Sequence, residues 1–147
     1  MNQTRDYLAP IARLMLAAVF IFSGIRKITL DSGTAAYMAR YGVPELFLPL
    51  VILTEIGGGL LLTIGYKARI VAFLLAGFAV LSGVIFHLAY SWELEGAAAA
   101  SEMGQFWKNL AIAGGCLLIV SNGAGHLSLD RKRKREAEEA LERQLAG

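Results

Sequence analysis

Residues 46–66 read LFLPLVILTEIGGGLLLTIGY, a run of 21 residues in which Glu55 is the one charge. At a rise of about 1.5 Å per residue such a run is about 30 Å long as a helix, which matches the hydrocarbon core of a bilayer. Three further stretches have the same character: residues 8–28, 70–90 and 103–121. The last contains Lys108 and Asn109, leaving Leu110 to Val120 as its uninterrupted apolar core, and a lysine near a helix end can extend its amine to the interface. The whole chain agrees with its parts. Of 147 residues 56% are hydrophobic and 18% charged, and the mean hydropathy of +0.53 is too apolar for a soluble domain. A single cysteine excludes an internal disulfide or a thiolate metal cage, and two histidines leave little scope for a metal site or for haem with two axial histidines.

The expected fold is therefore an all-α membrane protein, a bundle of four antiparallel transmembrane helices occupying residues 1–130, followed by a charged cytoplasmic helix or tail at 131–147. An even number of spans puts both termini on one side. Arg5, Lys67, Arg69 and the run Arg131 to Arg135 fall on that side, whereas the opposite loops set Arg26, Lys27 and Arg40 against Asp31, Glu45, Glu93, Glu95 and Glu102. The lysine and arginine bias predicts cytoplasmic termini. It also makes the terminal run a topological anchor facing anionic lipid heads rather than a nucleic-acid site. The loop after the first span, Asp31-Ser32-Gly33-Thr34 leading to Tyr41, Gly42 and Pro44, predicts a short external amphipathic helix lying on the membrane surface or over the bundle. Tyr66 to Arg69 is short enough to force a hairpin, and Ala68, Ala72, Ala76, Ala79 and Gly83 form a small-residue track for close packing, within the bundle or in a homo-oligomer.

Glu55 is the residue that needs a reason. An ionised acid in mid-membrane costs about 2.5–3.5 kcal/mol on insertion, which the surrounding leucines and isoleucines can absorb but do not explain. Gly58 and Gly59 share its helical face and leave room for a helix or a ligand. Counting heights along each helix places Lys108 about 6 Å above Glu55, His87 about 9 Å above it and Arg13 about 9 Å below it, which makes Lys108 the expected partner. Arg13, Ala17, Phe20, Gly24 and Lys27 line one face of the first span. Two uses follow. Glu55, Lys108, Asn109 and Arg13 could pair simply to specify which helices meet. Alternatively, an externally open pocket could take a quinone head, a small anion or a proton, with Glu55 and His87 titratable and Lys108 as the fixed charge.

Several short runs occur in a fixed order. They are Ala12-Arg13-Leu14, Phe22-Ser23-Gly24-Ile25-Arg26-Lys27, Gly33-Thr34-Ala35-Ala36-Tyr37-Met38, Gly42-Val43-Pro44, Glu55-Ile56-Gly57-Gly58-Gly59, Phe86-His87, Lys108-Asn109-Leu110-Ala111 and Ser128-Leu129-Asp130. Through this order and spacing, from about Leu8 to Asp130, the sequence resembles the DoxX family of small bacterial inner-membrane proteins. It departs in having Gly123-Ala124-Gly125 where relatives often carry Gly-Pro-Gly. The resemblance implies four transmembrane helices and a polar set at Arg13, Lys27, Glu55, His87, Lys108 and Asn109. It also implies a link to redox metabolism, since some relatives are subunits of a thiosulfate-to-quinone oxidoreductase and others associate with enzymes of thiol and oxidative-stress defence.

The function expected is accordingly that of a small membrane subunit that touches the quinone pool through a pocket of Glu55, His87 and Lys108, or that anchors an oxidoreductase. Any activity would be that of a subunit of a quinone-linked oxidoreductase. A structural or partner-anchoring protein without chemistry, and a small-solute or proton permease, are the alternatives.

Overall fold

The computed structural model describes the backbone of residues 3–29 and 31–146, and every side chain within them except those of residues 3–6, 31 and 32. The expected contribution of Arg5 and the capping expected of Asp31 and Ser32 lie outside these described side chains. Among the described residues the chain is helical apart from short turns, with no strand. Helix α1 is Gln3–Thr29, α2 Asp31–Arg40, α3 Leu48–Ile64 preceded by a 3-10 turn at Glu45–Phe47, and α4 Ala68–Gly83. A π-helical turn at Val84–Leu88 carries α4 on into α5, Ala89–Ser91. Helix α6 is Gly96–Asn122 and α7 is Leu129–Ala146.

Four stretches are long and apolar enough to cross a membrane: Tyr7–Thr29, Glu45–Ile64, Ala68–Ser91 and Gly96–Asn122. The first three match the hydropathy reading to within about two residues at each end. The fourth starts earlier than Met103 because Ala97 to Ala100 are helical and belong to α6. Large apolar side chains such as Leu8, Met15, Phe22, Leu53, Phe73 and Leu118 are exposed along these helices. That would be untenable in water and suits helices whose outer faces meet lipid tails. This is an integral, multi-pass membrane protein.

Packing runs α1 on α3, α3 beside α4 through the hairpin, and α4 on α6. The interior is built from small residues. Ala68, Ala72, Ala76, Ala79 and Gly83 of α4 are all buried, and α6 answers with Ala113, Cys116 and Ile119, so the small-residue track is filled by this chain's own helix. At Gly59 an added Cβ would fall 2.6 Å from the Ile21 side chain and 3.1 Å from the Ala17 carbonyl oxygen; at Gly24 it would fall 2.6 Å from Ile56. The glycines beside Glu55 therefore admit helices: Gly59 takes α1, and Gly58 takes Leu75 of α4. Such contact through bare backbone lets van der Waals attraction hold helices together where lipid supplies no hydrophobic drive.

At the end where α1 starts, polar groups bind the chain to itself. Gly65, at φ 68°, stops α3 with its N–H on Leu62, and Tyr66 donates to Leu61. The carboxylate of Asp130 accepts the N–H groups of Lys67 at 2.7 Å and Ala68 at 2.8 Å, capping α4 from sixty residues away, while the Asp130 N–H donates to the Gly65 carbonyl. At the opposite end α2 lies over the bundle: Ala35 and Met38 are buried with Leu48 against Val51, Ile52 and Phe86.

Candidate functional site

Beneath α2 lies a cavity of about 210 Å³ whose walls come from α1, α2, α3, α4, the π-turn and α6. Five of the six expected site residues line it: Lys27, Glu55, His87, Lys108 and Asn109. Aromatic and polar side chains complete it, among them Phe20, Phe78, Phe86, Ser23, Thr34 and Tyr37. A more open vestibule of about 520 Å³ shares Ser23, Lys27, Thr34, Tyr37 and His87 with the cavity and adds Arg26 and Gly33. A larger depression along α3, past Leu48, Ile52, Ile56 and Leu60, has Glu45 as its charged group and lies on the apolar outer face, away from this chemistry.

The partner of Glu55 is Lys27, which corrects the expectation that Lys108 would fill that role. Lys27 Nζ donates to Glu55 Oε1 at 2.8 Å and Oε2 at 2.9 Å and to Ser23 Oγ at 2.9 Å, and the Ser23 hydroxyl donates to Glu55 Oε1 at 3.0 Å. The cause is the direction in which helical side chains lean. A side chain tilts toward the N-terminus of its own helix. On α1 that direction carries Lys27 inward, over Ser23 and onto Glu55. Helix α6 runs the other way, so Lys108 leans outward, where its ammonium meets Gln105 three residues earlier and remains exposed. Gly24 completes the arrangement, because a Cβ there would come 3.3 Å from Glu55 Cβ.

On the wall formed by the π-turn, His87 Nδ1 lies 2.8 Å from Glu102 Oε2, with both side chains about four-fifths buried or slightly less. His87 sits within the π-turn, a geometry that often marks functional positions because it re-aims side chains and releases carbonyls. The Tyr37 hydroxyl points to one of those carbonyls, Phe86, at 3.5 Å. Tyr37 also stacks on Phe86 at 5.6 Å, and Tyr41 meets Phe86 and Tyr90 edge-on at 5.4 and 5.3 Å, so aromatic rings roof the cavity. Partial burial, aided by the hydroxyl of Tyr41, pushes the Tyr37 phenol well above its ordinary range and keeps it a protonated donor. Asn109 is fixed by donating to the Gln105 carbonyl at 3.0 Å. Glu102 and Ser23 are the site residues that sequence reasoning missed. Ser23 lies one turn before Lys27 on the same face, a usable signal, whereas nothing local in the sequence marks Glu102.

Arg13 is the expected site residue that is not brought to this cavity. It lies fourteen positions before Lys27 on the same helix, about 21 Å along the axis. There its guanidinium donates to the carbonyls of Ala124, Leu127 at 2.5 Å and Thr63 at 3.3 Å, tying α1 to the end of α3 and to the segment after α6. It is 3% exposed, so it acts as a buried staple on carbonyls at helix ends, where positive charge is favoured. Among the described residues no three His, Cys, Asp or Glu side chains are grouped to hold a metal ion.

A family model for DoxX matches residues 8–88, the segment holding Ser23, Lys27, Glu55 and His87. The chain belongs to the DoxX family. It is 40% identical over 131 residues to the inner membrane protein YqjF of Escherichia coli, covering 89% of this chain and 95% of that one. With the inner membrane protein YphA of the same organism it shares 35% identity over 130 residues, 87% and 91% of the two chains. A more distant similarity, 34% over 84 residues, reaches 57% of this chain and 26% of the ER-derived vesicles protein ERV29 of Saccharomyces cerevisiae. No solved structure matches the chain. This DoxX protein is thus an integral inner-membrane protein.

Proposed function

We propose that this DoxX protein is a small membrane subunit that holds a quinone head in the cavity beneath α2 and passes its protons. The observation behind this reading is that one aromatic-lined cavity is bordered both by the Lys27–Glu55 pair with Ser23 and by His87, whose own partner Glu102 lies outside the lining. Its volume, about 210 Å³, is below the ~300–1,000 Å³ of pockets for larger ligands and suits a single substituted ring. A bound quinone would supply carbonyl-to-hydroxyl redox chemistry. In this reading Lys108, Tyr37 and Asn109 offer hydrogen-bond donors to ring oxygens. Glu55 takes or returns a proton through the Ser23 hydroxyl, and His87 with Glu102 exchanges it at the vestibule. The electrons come from a partner oxidoreductase. The exposed, charged α7 is the natural place to hold such a partner, which also keeps an anchoring role in play.

The reading further includes the orientation. The ends of α3 and α6 and the starts of α1, α4 and α7 share one end of the bundle, where Lys67, Arg69 and Arg131 to Arg135 accumulate, and that bias favours the cytoplasmic side for both termini.

The test is quinone content after purification in native-lipid discs. Wild type is expected to retain about one quinone per chain, and Glu55→Gln and His87→Ala to lose at least about ten-fold, the equivalent of one lost hydrogen bond of ~1.4 kcal/mol. Equal quinone in all three, or only background in wild type, overturns the reading.

A further inference from the structure

At the opposite end of the bundle from the quinone cavity, a second depression of about 610 Å³ is lined by Lys67, Arg69, Arg131 and Lys134 together with the backbone of 123–125. Lys67, Arg69, Arg131 and Lys134 line it with one carboxylate, Asp130, whose two oxygens accept the N–H groups of Lys67 and Ala68, and Lys134 also lies 3.7 Å from Glu138 on α7. Set against Asp130 and Glu138, the four cations still leave the basin a surplus of two positive charges. The guanidinium of Arg69 lies across Gly123: a Cβ there would be 3.6 Å from both Nε and Nη2. At φ 84° that glycine also resists any side chain. The depression is thus framed by the same backbone that Arg13 and Asp130 hold in place.

We infer that this basin is a binding site for the phosphate-bearing head of an anionic phospholipid. Planar guanidinium groups recognise phosphodiester oxygens in pairs, and a basic pocket between helix ends at the membrane surface is where such heads collect. What favours a lipid over a free phosphate ion is the basin's edge. Ile70 lines it and is 60% exposed, and the same outer face of α4 continues with Phe73, Leu74 and Leu81, all exposed. A phosphate seated among Arg69, Arg131 and Lys134 would have an apolar track running from it along α4 for its acyl chains.

The experiment is native mass spectrometry of protein taken from vesicles of phosphatidylcholine with phosphatidylglycerol. Wild type is expected to keep one phosphatidylglycerol per chain. An Arg69→Gln/Arg131→Gln variant should lose retention about twenty-five-fold, at about five-fold per cation removed. Arg135→Gln/Arg143→Gln, which removes the same charge from α7 outside the basin, should stay within about two-fold of wild type. If Arg69→Gln prevents folding, Lys134→Gln on the exposed helix carries the same expectation at about five-fold. Equal losses in both double variants would mean diffuse attraction and overturn the site, as would no loss in either. Displacement of the lipid by excess inorganic phosphate would overturn the lipid assignment in favour of a phosphate-ion site. None of these outcomes depends on quinone, so this inference and the proposed function stand or fall separately.

Discussion

Replacing Lys27 with methionine should harm this protein more than neutralising its partner, and the difference follows from burial. The Glu55 side chain is 5% exposed and Lys27 24% exposed. Lys27→Met leaves a carboxylate in mid-membrane with the Ser23 hydroxyl as its remaining partner, and stranding one member of a buried pair costs ~3–5 kcal/mol. Since water reaches the lysine end, we take the lower figure, about 3 kcal/mol. Glu55→Gln strands an ammonium instead. Lys27 lies two residues before the end of α1, keeps Ser23, and can turn its amine outward to the interface, so the loss should be nearer 1–2 kcal/mol. At about 2–4 °C per kcal/mol for a chain of this size, the two variants should melt about 9 °C and about 4 °C below wild type. Lys27→Met/Glu55→Met, which replaces the pair by apolar volume, should return to within about 3 °C. Cys116 gives the assay, because it is the single cysteine and is wholly buried, so a thiol-reactive fluorogenic dye reports unfolding in detergent. Equal losses in the two single variants, or a double variant that melts at the sum of both losses, would refute the argument that the pair is coupled and unequally buried.

Gly59→Val should cost ~1–3 kcal/mol in the same assay, because the new Cβ meets Ile21 and the Ala17 carbonyl, whereas Gly77→Ala, with nothing within 4 Å, should be neutral. Asp130→Ala removes the cap on α4 and should cost ~1–2 kcal/mol while speeding hydrogen exchange at the Lys67 and Ala68 amides about ten-fold; Asp130→Asn should recover part of both. A fluorescent protein fused after Gly147 should glow and an alkaline phosphatase fused there should be inactive, as expected for a cytoplasmic C-terminus. The reverse pattern would invert the orientation.

The spans were legible because crossing a bilayer imposes one demand, about twenty apolar residues, that hydropathy measures directly. The residues that line the cavity beneath α2 were legible in part for a related reason: Glu55, His87, Lys108 and Asn109 stand out against lipid. Their pairing was not. Counting heights from helix ends treats a side chain as if it lay level with its Cα, yet Lys27 reaches inward over Ser23 while Lys108 leans the other way. That lean, together with the packing of α1 rather than α6 on α3, decides which lysine meets Glu55. Arg13 misled for a different reason. Its distance from Glu55 was small on paper because a fixed rise was counted from uncertain span ends, and the carbonyls that hold it, Thr63, Ala124 and Leu127, carry no mark in sequence. The π-turn that aims His87 is equally silent, since one extra residue per turn leaves the apolar pattern of α4 unbroken.

The two ends of the bundle offer a way to weigh a packing role for the charges against a binding role. At the end where α1 starts, Arg13 and Asp130 bond to backbone carbonyls and N–H groups, which is what a device for fixing helix ends requires. Under α2 the charged side chains bond to other side chains instead, Lys27 to Glu55 and Ser23 and His87 to Glu102, and all of these but Glu102 border a cavity. A pair that only specified α1 against α3 would be redundant there, because Gly24 and Gly59 already set that approach through backbone contact that a single methyl would disrupt. It would also be better served by close-packed walls, since interiors fill space to crystal-like density and an open volume beside an ion pair forfeits contacts. Keeping about 210 Å³ of space beside a buried ion pair costs stability and is of no use to packing, which is the reason to look for a ligand in it.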